Sequence, residues 1–241
     1  MFHATACVVL WLTTIGLGQE PKAESAAKVE KLFDGKTLEG WTGDSRYWKV
    51  EDGTITGQTT ADNLLESNTF LIWQGKPVAD FELHLKFRLE NGNSGIQYRS
   101  RVIDEEKFVV GGYQADLCEL TPKQAWILGI LYEEKGRGIL ARRGQRVRIS
   151  ENGTRTEERF AEEADLVSDL KDGEWHEYVI RAEGPRLTHS VDGRLFVDVT
   201  DLDEKKRAER GILAIQLHTG PPMKVQYKDI ELTRLPEVDR Q

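Results

Sequence analysis

The 241-residue sequence contains only two cysteines, Cys7 and Cys118. Cys7 lies in an apolar segment near the start, so Cys118 is the single thiol of the remaining chain. An intramolecular disulfide is therefore excluded there, and the fold must be stabilised by its hydrophobic core. Cys118 stands near Leu117 and Leu120, a context that predicts a small buried side chain rather than a nucleophile.

The sequence also lacks an excess of positive charge, since its formal net charge is -8. A protein that grips nucleic acid needs a basic face to displace counterions from the phosphates. The composition therefore argues against nucleic-acid binding. It is compatible with a protein that binds neutral ligands.

No apolar run is long enough for a comfortable membrane span. The longest, residues 4–17, is interrupted only by threonines and glycine and ends in small residues at a cleavage-like spacing. We expect a cleaved signal peptide at 1–18 rather than a membrane anchor, although no Lys or Arg precedes the run. A polar spacer at 19–30 and one domain at 31–236 would follow, with export to the periplasm or the extracellular space.

Several catalytic motifs are missing. The chain has no phosphate-binding glycine loop and no G-x-S-x-G elbow. His176-Glu177 begins like the zinc-protease H-E-x-x-H motif, but Ile180 stands where the second histidine is needed. The Glu-x-Asp-x-x-Glu spacing of retaining β-glucanases is also absent, which argues against a standard two-carboxylate glycosidase of that class.

The chain is rich in short alternating segments. Residues 81–89 alternate strictly between apolar and polar side chains, the pattern of a strand with one buried face. The pairs Asp52-Gly53 and Asp192-Gly193 predict hairpins with type I′ turns. Ten or more such strands predict an all-β sandwich in one domain. Residues 157–169 could form a short helix or an acidic loop, and periodicity does not decide between them.

Two neighbouring predicted strands between Glu90 and Asp116 each combine a polar and an apolar face. Gln97 and Arg99 share one face of the first strand, and Gln114 and Asp116 share one face of the second. This polar face is either a site for a polyhydroxylated ligand or a solvated sheet face with an ion pair between Arg99 and Asp116.

Short motifs follow one another in a fixed order between residues 31 and 234. They are L-F-D-G-K-T-L-E-G-W at 32–41, W-K-V-E-D-G-T-I at 48–55, N-S-G-I-Q-Y-R at 93–99, G-Y-Q-A-D at 112–116, G-E-W-H-E-Y at 173–178 and G-I-L-A-I-Q-L-H-T-G-P-P-M-K-V-Q-Y-K-D-I at 211–230. In this order they resemble the 3-keto-disaccharide hydrolase domain family, long described only as a domain of unknown function.

The resemblance implies a concanavalin A-like jelly-roll β-sandwich of two antiparallel sheets. It also implies an exported bacterial hydrolase or lyase that acts on glycosides oxidised at the 3-position of the sugar. Family members often carry Glu-x-Gln in the Gly-Tyr strand, whereas this chain has Gln114 and Asp116 there. A carboxylate is kept but displaced by two residues.

Cleavage beside a 3-keto group needs a base for the adjacent carbon and a stabiliser for the enolate oxygen. His218 is the candidate base, because an imidazole changes protonation near neutral pH. Arg99 could hold the enolate oxygen, and Asp116 or Glu133 could act as base or metal ligand. We therefore expect Arg99 and Asp116 to face His218 across one groove.

Gln97, Gln114 and Gln216 suit hydrogen bonds to sugar hydroxyls, and Tyr132 is either a binding-site phenol or a core aromatic. A divalent metal ion could polarise the ketone, although no compact ligand motif marks a metal site. An upstream sugar 3-oxidoreductase would supply the substrate. The alternatives are a non-catalytic carbohydrate-binding module of the cell envelope and an envelope scaffold.

Overall fold

The computed structural model describes Met1 and residues 28–236, which form two packed β-sheets. The predicted signal peptide, apart from Met1, and most of the predicted spacer lie outside the described residues. Val29 and Glu30, at the end of that spacer, already belong to a strand. In the described part of the chain, no helix combines the length and the apolar character that a membrane crossing requires.

The first sheet has ten strands within residues 28–236. In spatial order it contains β12 (Arg155–Arg159), β11 (Gln145–Ile149), β15 (Arg194–Asp201), β14 (Arg186–Val191), β13 (His176–Glu183), β6 (Phe81–Glu90), β17 (Lys224–Arg234), β4 (Thr54–Gln58) and β3 (Trp48–Glu51), with β1 (Val29–Lys31) beside β17. The β11–β15 pair is parallel, and the other pairs in this sheet are antiparallel.

The second sheet has seven strands within the same residues. Its spatial order is β10 (Gly138–Ala141), β9 (Leu131–Glu134), β8 (Val109–Cys118), β7 (Asn93–Asp104), β16 (Ile212–Leu217), β5 (Thr69–Trp73) and β2 (Trp41–Thr42). Short 3-10 helices occupy Ala125–Ile127 and Asp165–Val167. The undecided stretch 157–169 thus contains the end of exposed β12 and one of these 3-10 helices.

The core between the sheets is built from the alternating strand positions. In β6 the five apolar residues predicted to face inward, from Phe81 to Leu89, are at most 4% exposed, while the polar residues between them are half-buried or exposed. Burying such side chains contributes about 1.5–3 kcal/mol each. Ile96 and Tyr98 of β7 face them from the second sheet. The predicted all-β sandwich of the concanavalin A-like jelly-roll type is confirmed.

Both predicted Asp-Gly turns are confirmed by their backbone. Asp52 and Gly53 have φ values of 50° and 74°, and Asp192 and Gly193 have 46° and 75°. Two successive positive φ values define the type I′ turn, whose twist matches that of the flanking strands. The two hairpins join β3 to β4 and β14 to β15.

Cys118, at the end of β8, is 4% exposed and its Sγ donates to the Gln124 carbonyl at 3.0 Å. Burial raises the pKa of this thiol to about 12. A thiol in this state is a poor nucleophile, which agrees with the expectation of a buried structural cysteine.

Candidate active site

A groove of about 280 Å³ lies on the outer face of the second sheet, the face turned away from the first sheet. Residues from five neighbouring strands and the adjoining loops line it. They are Asn68, Asn93, Gln114, Asp116, Trp126, Ile127, Ile130, Tyr132, Glu134, Ile139, Gln216 and His218. Five residues predicted from the sequence therefore meet in one groove: Gln114, Asp116, Tyr132, Gln216 and His218.

Strand register places these side chains on the groove floor. Gln114 of β8 stands opposite Gln97 of β7 on one side and Tyr132 of β9 on the other. Asp116, two residues further along β8, stands opposite Gly95. Because side chains alternate along a strand, residues two apart point to the same face, so Asp116 joins Gln114 on the floor.

Gly95 leaves room for the Gln114 side chain. A Cβ added at Gly95 would lie 2.5 Å from Gln114 Cδ, which is shorter than any ordinary contact. The Gln114 side chain therefore lies over the glycine instead of standing away from the sheet. The N-S-G segment of β7 provides this empty position at the centre of the floor.

A chain of hydrogen bonds crosses the floor in one direction. Ser100 Oγ donates to Gln97 Oε1 at 2.6 Å, and Gln97 Nε2 donates to Gln114 Oε1 at 2.6 Å. Gln114 Nε2 then donates to Asp116 Oδ1 at 2.5 Å. Gln216 Nε2 makes a second, longer contact to Gln114 Oε1 at 3.2 Å. The chain ends on one oxygen of the Asp116 carboxyl.

Asp116 is the buried acid of the site, at 5% exposed. Loss of solvent raises its pKa well above the usual 3.8; the Gln114 hydrogen bond lowers it in part, and the negative charge of Glu134 raises it further. Burial without a cationic partner disfavours the ionised form of a carboxyl group. The Asp116 carboxyl is thus suited to donate a hydrogen bond or a proton.

His218 stands at the end of β16, where the strand passes into the 218–222 loop. Its Nδ1 donates to the Thr219 carbonyl at 2.5 Å, which leaves Nε2 as the basic nitrogen. Thr219 is itself fixed, because its N–H donates to Asn68 Oδ1 at 2.9 Å and its Oγ1 donates to the Leu65 carbonyl at 2.9 Å. The loop therefore holds the imidazole at the groove wall.

Tyr132 and Glu134 line the groove from β9. Tyr132 is half-buried, and its pKa is raised by burial and by the nearby carboxyls of Glu134 and Asp116. Its phenol therefore keeps its proton and can donate a hydrogen bond. Of the two roles considered for Tyr132, the structure supports a side chain in the groove rather than in the core.

The expected position of Arg99 is wrong. The β7–β8 pairing shifts register between Tyr98 and Arg101, and Arg99 has a φ of 45° within this bulge. The bulge interrupts the alternation that would have placed Arg99 beside Gln97. Its guanidinium instead bonds Asp80 Oδ1 at 2.9 Å and the Ala79 carbonyl at 2.7 Å, away from Asp116.

Glu133 also lies outside the groove. It faces the interior opposite Tyr113 and forms an ion pair with Arg137, which in turn contacts Asp201 at 2.6 Å. Its neighbour Glu134 is the carboxylate that reaches the groove. Alternation from Tyr132 could have identified Glu134, since the two residues are two positions apart in one strand.

Gln97 is fully buried behind Gln114 and does not line the groove. Its predicted contact with substrate is therefore replaced by a contact with Gln114. Sequence reasoning also missed Asn68 and Asn93, which carry no pattern that separates them from loop residues. Trp126, at 39% exposed, lies at the rim of the groove.

Among the described residues, no group of three or more His, Cys, Asp or Glu side chains is arranged to hold a metal ion. The groove carboxyls Asp116 and Glu134 and the imidazole of His218 could each supply one ligand atom. A metal role therefore stays a prediction from the sequence.

The chain belongs to the 3-keto-alpha-glucoside-1,2-lyase-like domain family, whose model matches residues 28–233. The predicted family is therefore confirmed. None of the curated proteins compared matches the chain.

Solved structures share the fold at low sequence identity. A candidate glycosyl hydrolase from Parabacteroides distasonis is 16% identical, with a TM-score of 0.58 over 86% of this chain and 100% of that one. The carbohydrate-binding module CBM66 from Bacillus subtilis is 14% identical, with a TM-score of 0.52 over 80% and 95%. A Bacillus subtilis protein with a galectin-like fold is 9% identical, with a TM-score of 0.57 over 83% and 92%.

Proposed function

We propose that this protein cleaves glycosides whose sugar carries a ketone at C3, by elimination followed by hydration. The observation that carries the proposal is the pairing, in one polar groove, of a buried Asp116 carboxyl that favours its proton with a histidine whose Nε2 is basic. Family membership supports the same chemistry. The ketone makes the hydrogen on C2 acidic, so the reaction does not need the two-carboxylate arrangement of ordinary glycosidases.

In the first step His218 Nε2 takes the C2 proton, and the electron pair of that bond forms an enolate with the C3 oxygen. The Asp116 carboxyl donates a hydrogen bond to this oxygen, where negative charge develops. A carboxylic acid kept neutral by burial is an effective donor at such a position. Tyr132 offers a second neutral donor from the opposite strand.

In the second step the enolate re-forms the ketone and expels the glycosidic oxygen from C1, leaving a double bond between C1 and C2. The proton held by His218 passes to the departing oxygen. Water then adds to C1 while C2 regains a proton, and His218 again transfers the protons. The products are the 3-keto sugar and the free alcohol, with one water consumed.

The substrate must come from an enzyme that oxidises the C3 hydroxyl of a glycoside, such as a sugar 3-oxidoreductase. We also propose that the protein acts outside the cytoplasm after removal of residues 1–18. N-terminal sequencing of the protein purified from its native host, compared between cytoplasmic and exported fractions, tests the export.

The direct test uses 4-nitrophenyl 3-keto-β-glucoside and its α-anomer, with release of nitrophenol followed by absorbance. We expect release together with incorporation of solvent deuterium at C2. The proposal would be rejected if nitrophenol were released no faster than in buffer, both with and without added divalent ions. The unoxidised 4-nitrophenyl glucosides are the matched controls, because their cleavage would indicate hydrolysis by Asp116 and Glu134 acting as a carboxyl pair.

A carbohydrate-binding module without turnover is the second candidate. The observation in its favour is Trp126, which exposes its ring at the groove rim, where a sugar ring can stack. Calorimetry with both oxidised and unoxidised glucosides tests this function. A module should bind them without product formation and lose affinity in Trp126→Ala. Trp175→Ala should leave affinity unchanged, because the Trp175 ring packs against Arg88 and Lys228 of the first sheet.

A further inference from the structure

Two buried oxygen atoms at the groove lack a hydrogen-bond partner within the described residues: Gln216 Oε1 and Asn93 Oδ1. Both residues line the groove, and Gln216 is only 1% exposed. A buried acceptor without a partner costs about 1–3 kcal/mol. Such atoms in a groove are places where a ligand supplies the missing donors.

Gln216 and Asn93 lie on the neighbouring strands β16 and β7. Ile215 of β16 stands opposite Ile96 of β7. Continuing this register places Gln216 beside Gly95 and His218 beside Asn93. The two acceptors thus lie on the same floor as Asp116, near the strand that ends at the candidate base.

In the observed hydrogen-bond chain Gln216 Nε2 donates to Gln114 Oε1, which leaves Gln216 Oε1 without a donor among the described residues. Gln114 Oε1 also accepts from Gln97 Nε2 at 2.6 Å. Reversing the Gln216 amide alone would place its oxygen against this acceptor, and two acceptors repel.

We propose that Gln216 Oε1 and Asn93 Oδ1 each accept a hydrogen bond from a ring hydroxyl of the substrate, so that the groove selects sugars with free hydroxyls at two fixed positions. The ketone oxygen, which can only accept, is excluded from these two atoms and is directed to the donors Asp116 and Tyr132. The inference rests on the proposed function for its sugar class and determines how the sugar is oriented in the groove.

A fluorine scan on an uncleavable ligand tests the inference. The probe is the ethyl C-glycoside of 3-keto-glucose, in which a methylene group replaces the glycosidic oxygen, together with its 2-, 4- and 6-deoxyfluoro analogues. Fluorine keeps the size of a hydroxyl but removes its donor. We expect fluorine at one position to weaken binding to the wild-type protein by about 10- to 100-fold because Gln216 Oε1 is then left unpaired, and fluorine at a second position to do so through Asn93.

The protein variants show which ligand hydroxyl donates to Gln216 Oε1 and which donates to Asn93 Oδ1. Gln216→Met keeps the side-chain length and removes the acceptor, so the penalty at the first position should fall to about twofold or less. Asn93→Ala should remove the penalty at the second position only. Gln226→Met is the matched control, since Gln226 is equally buried but lies on the first sheet with its amide fully bonded to Arg88, Thr54 and Thr56.

The outcomes separate this inference from the cleavage reaction. Fluorine tolerated at every position, a penalty that survives in both variants, or no binding of the C-glycoside at millimolar concentration would each overturn it. Should Gln216→Met fail to fold, Asn93→Ala and the wild-type scan still decide. Position-specific penalties with no cleavage of the nitrophenyl substrates would uphold the inference and reject the lyase activity.

Discussion

Gln114 donates its side-chain amide to Asp116 Oδ1 at 2.5 Å on the groove floor, where the two residues are 3% and 5% exposed. This bond occupies one oxygen of the carboxyl, which leaves Oδ2 to carry the acidic proton. The two oxygens of the carboxyl therefore have different roles. Oδ1 accepts the hydrogen bond from Gln114, and Oδ2 is left to donate a hydrogen bond to the ligand.

The first prediction concerns the pH dependence of stability. The pKa of Asp116 is raised in the folded state by burial, so between the usual value of 3.8 and the raised value the folded chain binds more protons than the unfolded chain. The free energy of unfolding should fall as pH rises through that range and stay lower above it. Asp116→Asn, which cannot ionise, should be more stable than the wild type at pH 8.

Denaturant unfolding at pH 8 and at pH 3 measures this difference, which should vanish at the lower pH. Asp198→Asn is the control. The pKa of Asp198 is raised by burial but is lowered on balance by its bonds to Arg186 and Arg146, so its replacement should destabilise the fold at pH 8. Equal effects of the two substitutions at both pH values would contradict the assignment of Asp116 as a buried acid.

The second prediction concerns His218 as the base. His218→Gln should lower turnover of the nitrophenyl 3-keto-glucoside by about 10²- to 10⁴-fold, the usual contribution of a positioned base. Binding of the C-glycoside should change little. His84→Gln is the matched control, because His84 lies on the first sheet, where its Nε2 contacts Glu82 at 2.9 Å. Similar turnover in the two variants would remove His218 from the mechanism.

The third prediction concerns Gly95. In Gly95→Ala the new Cβ must displace the Gln114 side chain, which would lose its bond to Asp116. We expect ligand affinity and turnover to fall at least tenfold, with a loss of about 1–3 kcal/mol in stability from overpacking.

Gly57→Ala is the control, because a Cβ added at Gly57 would meet a clash about as close as the one at Gly95. A Cβ there would lie 2.6 Å from the Trp48 ring, between β3 and β4 of the first sheet. Its stability should fall by a comparable amount while affinity and turnover stay near wild type. If Gly95→Ala loses only stability, the floor geometry around Gln114 is not needed for ligand binding.

The fourth prediction concerns the buried ion pair of Arg99 and Asp80, whose side chains are 2% and 0% exposed. Arg99→Ala removes this buried ion pair and the guanidinium's bonds to the Ala79 and Gly184 carbonyls, so the free energy of unfolding should fall by about 3–5 kcal/mol. The pair of Arg181 and Glu82, whose side chains are 42% and 31% exposed, is the control, and Arg181→Ala should cost about 0–1 kcal/mol. Denaturant titrations check both. Loss of turnover at unchanged stability would instead return Arg99 to the active site.

The fold could be predicted from the sequence because its determinants are local. Strict alternation in residues 81–89 and positive-φ turns at Asp-Gly pairs depend on neighbours in the chain, and both appear in the structure as expected. The faces of β8 and β16 followed from the same alternation. This rule therefore brought Gln114, Asp116 and Gln216 together correctly.

The remainder of the site depended on features that alternation cannot show. A bulge in β7 redirects Arg99, and no residue pattern in N-S-G-I-Q-Y-R-S marks where the extra residue is accommodated. Glu134 is the exception, because its position two residues after Tyr132 on β9 puts both side chains on the groove face by alternation. Trp126 reaches the groove from a 3-10 helix that no periodic signal predicts.

The buried thiol of Cys118 allows opening of the groove to be measured by alkylation, without an engineered label. It stands opposite Asn93 in the β7–β8 ladder, directly beside the floor, and at 4% exposed it is shielded from reagents in solution. Alkylation therefore requires this end of the sheet to open, so the labelling rate measures the opening equilibrium of the site itself. A ligand that bridges β7 and β16 would protect Cys118 from alkylation in proportion to its occupancy. The alkylation rate of this structural cysteine would therefore report ligand binding.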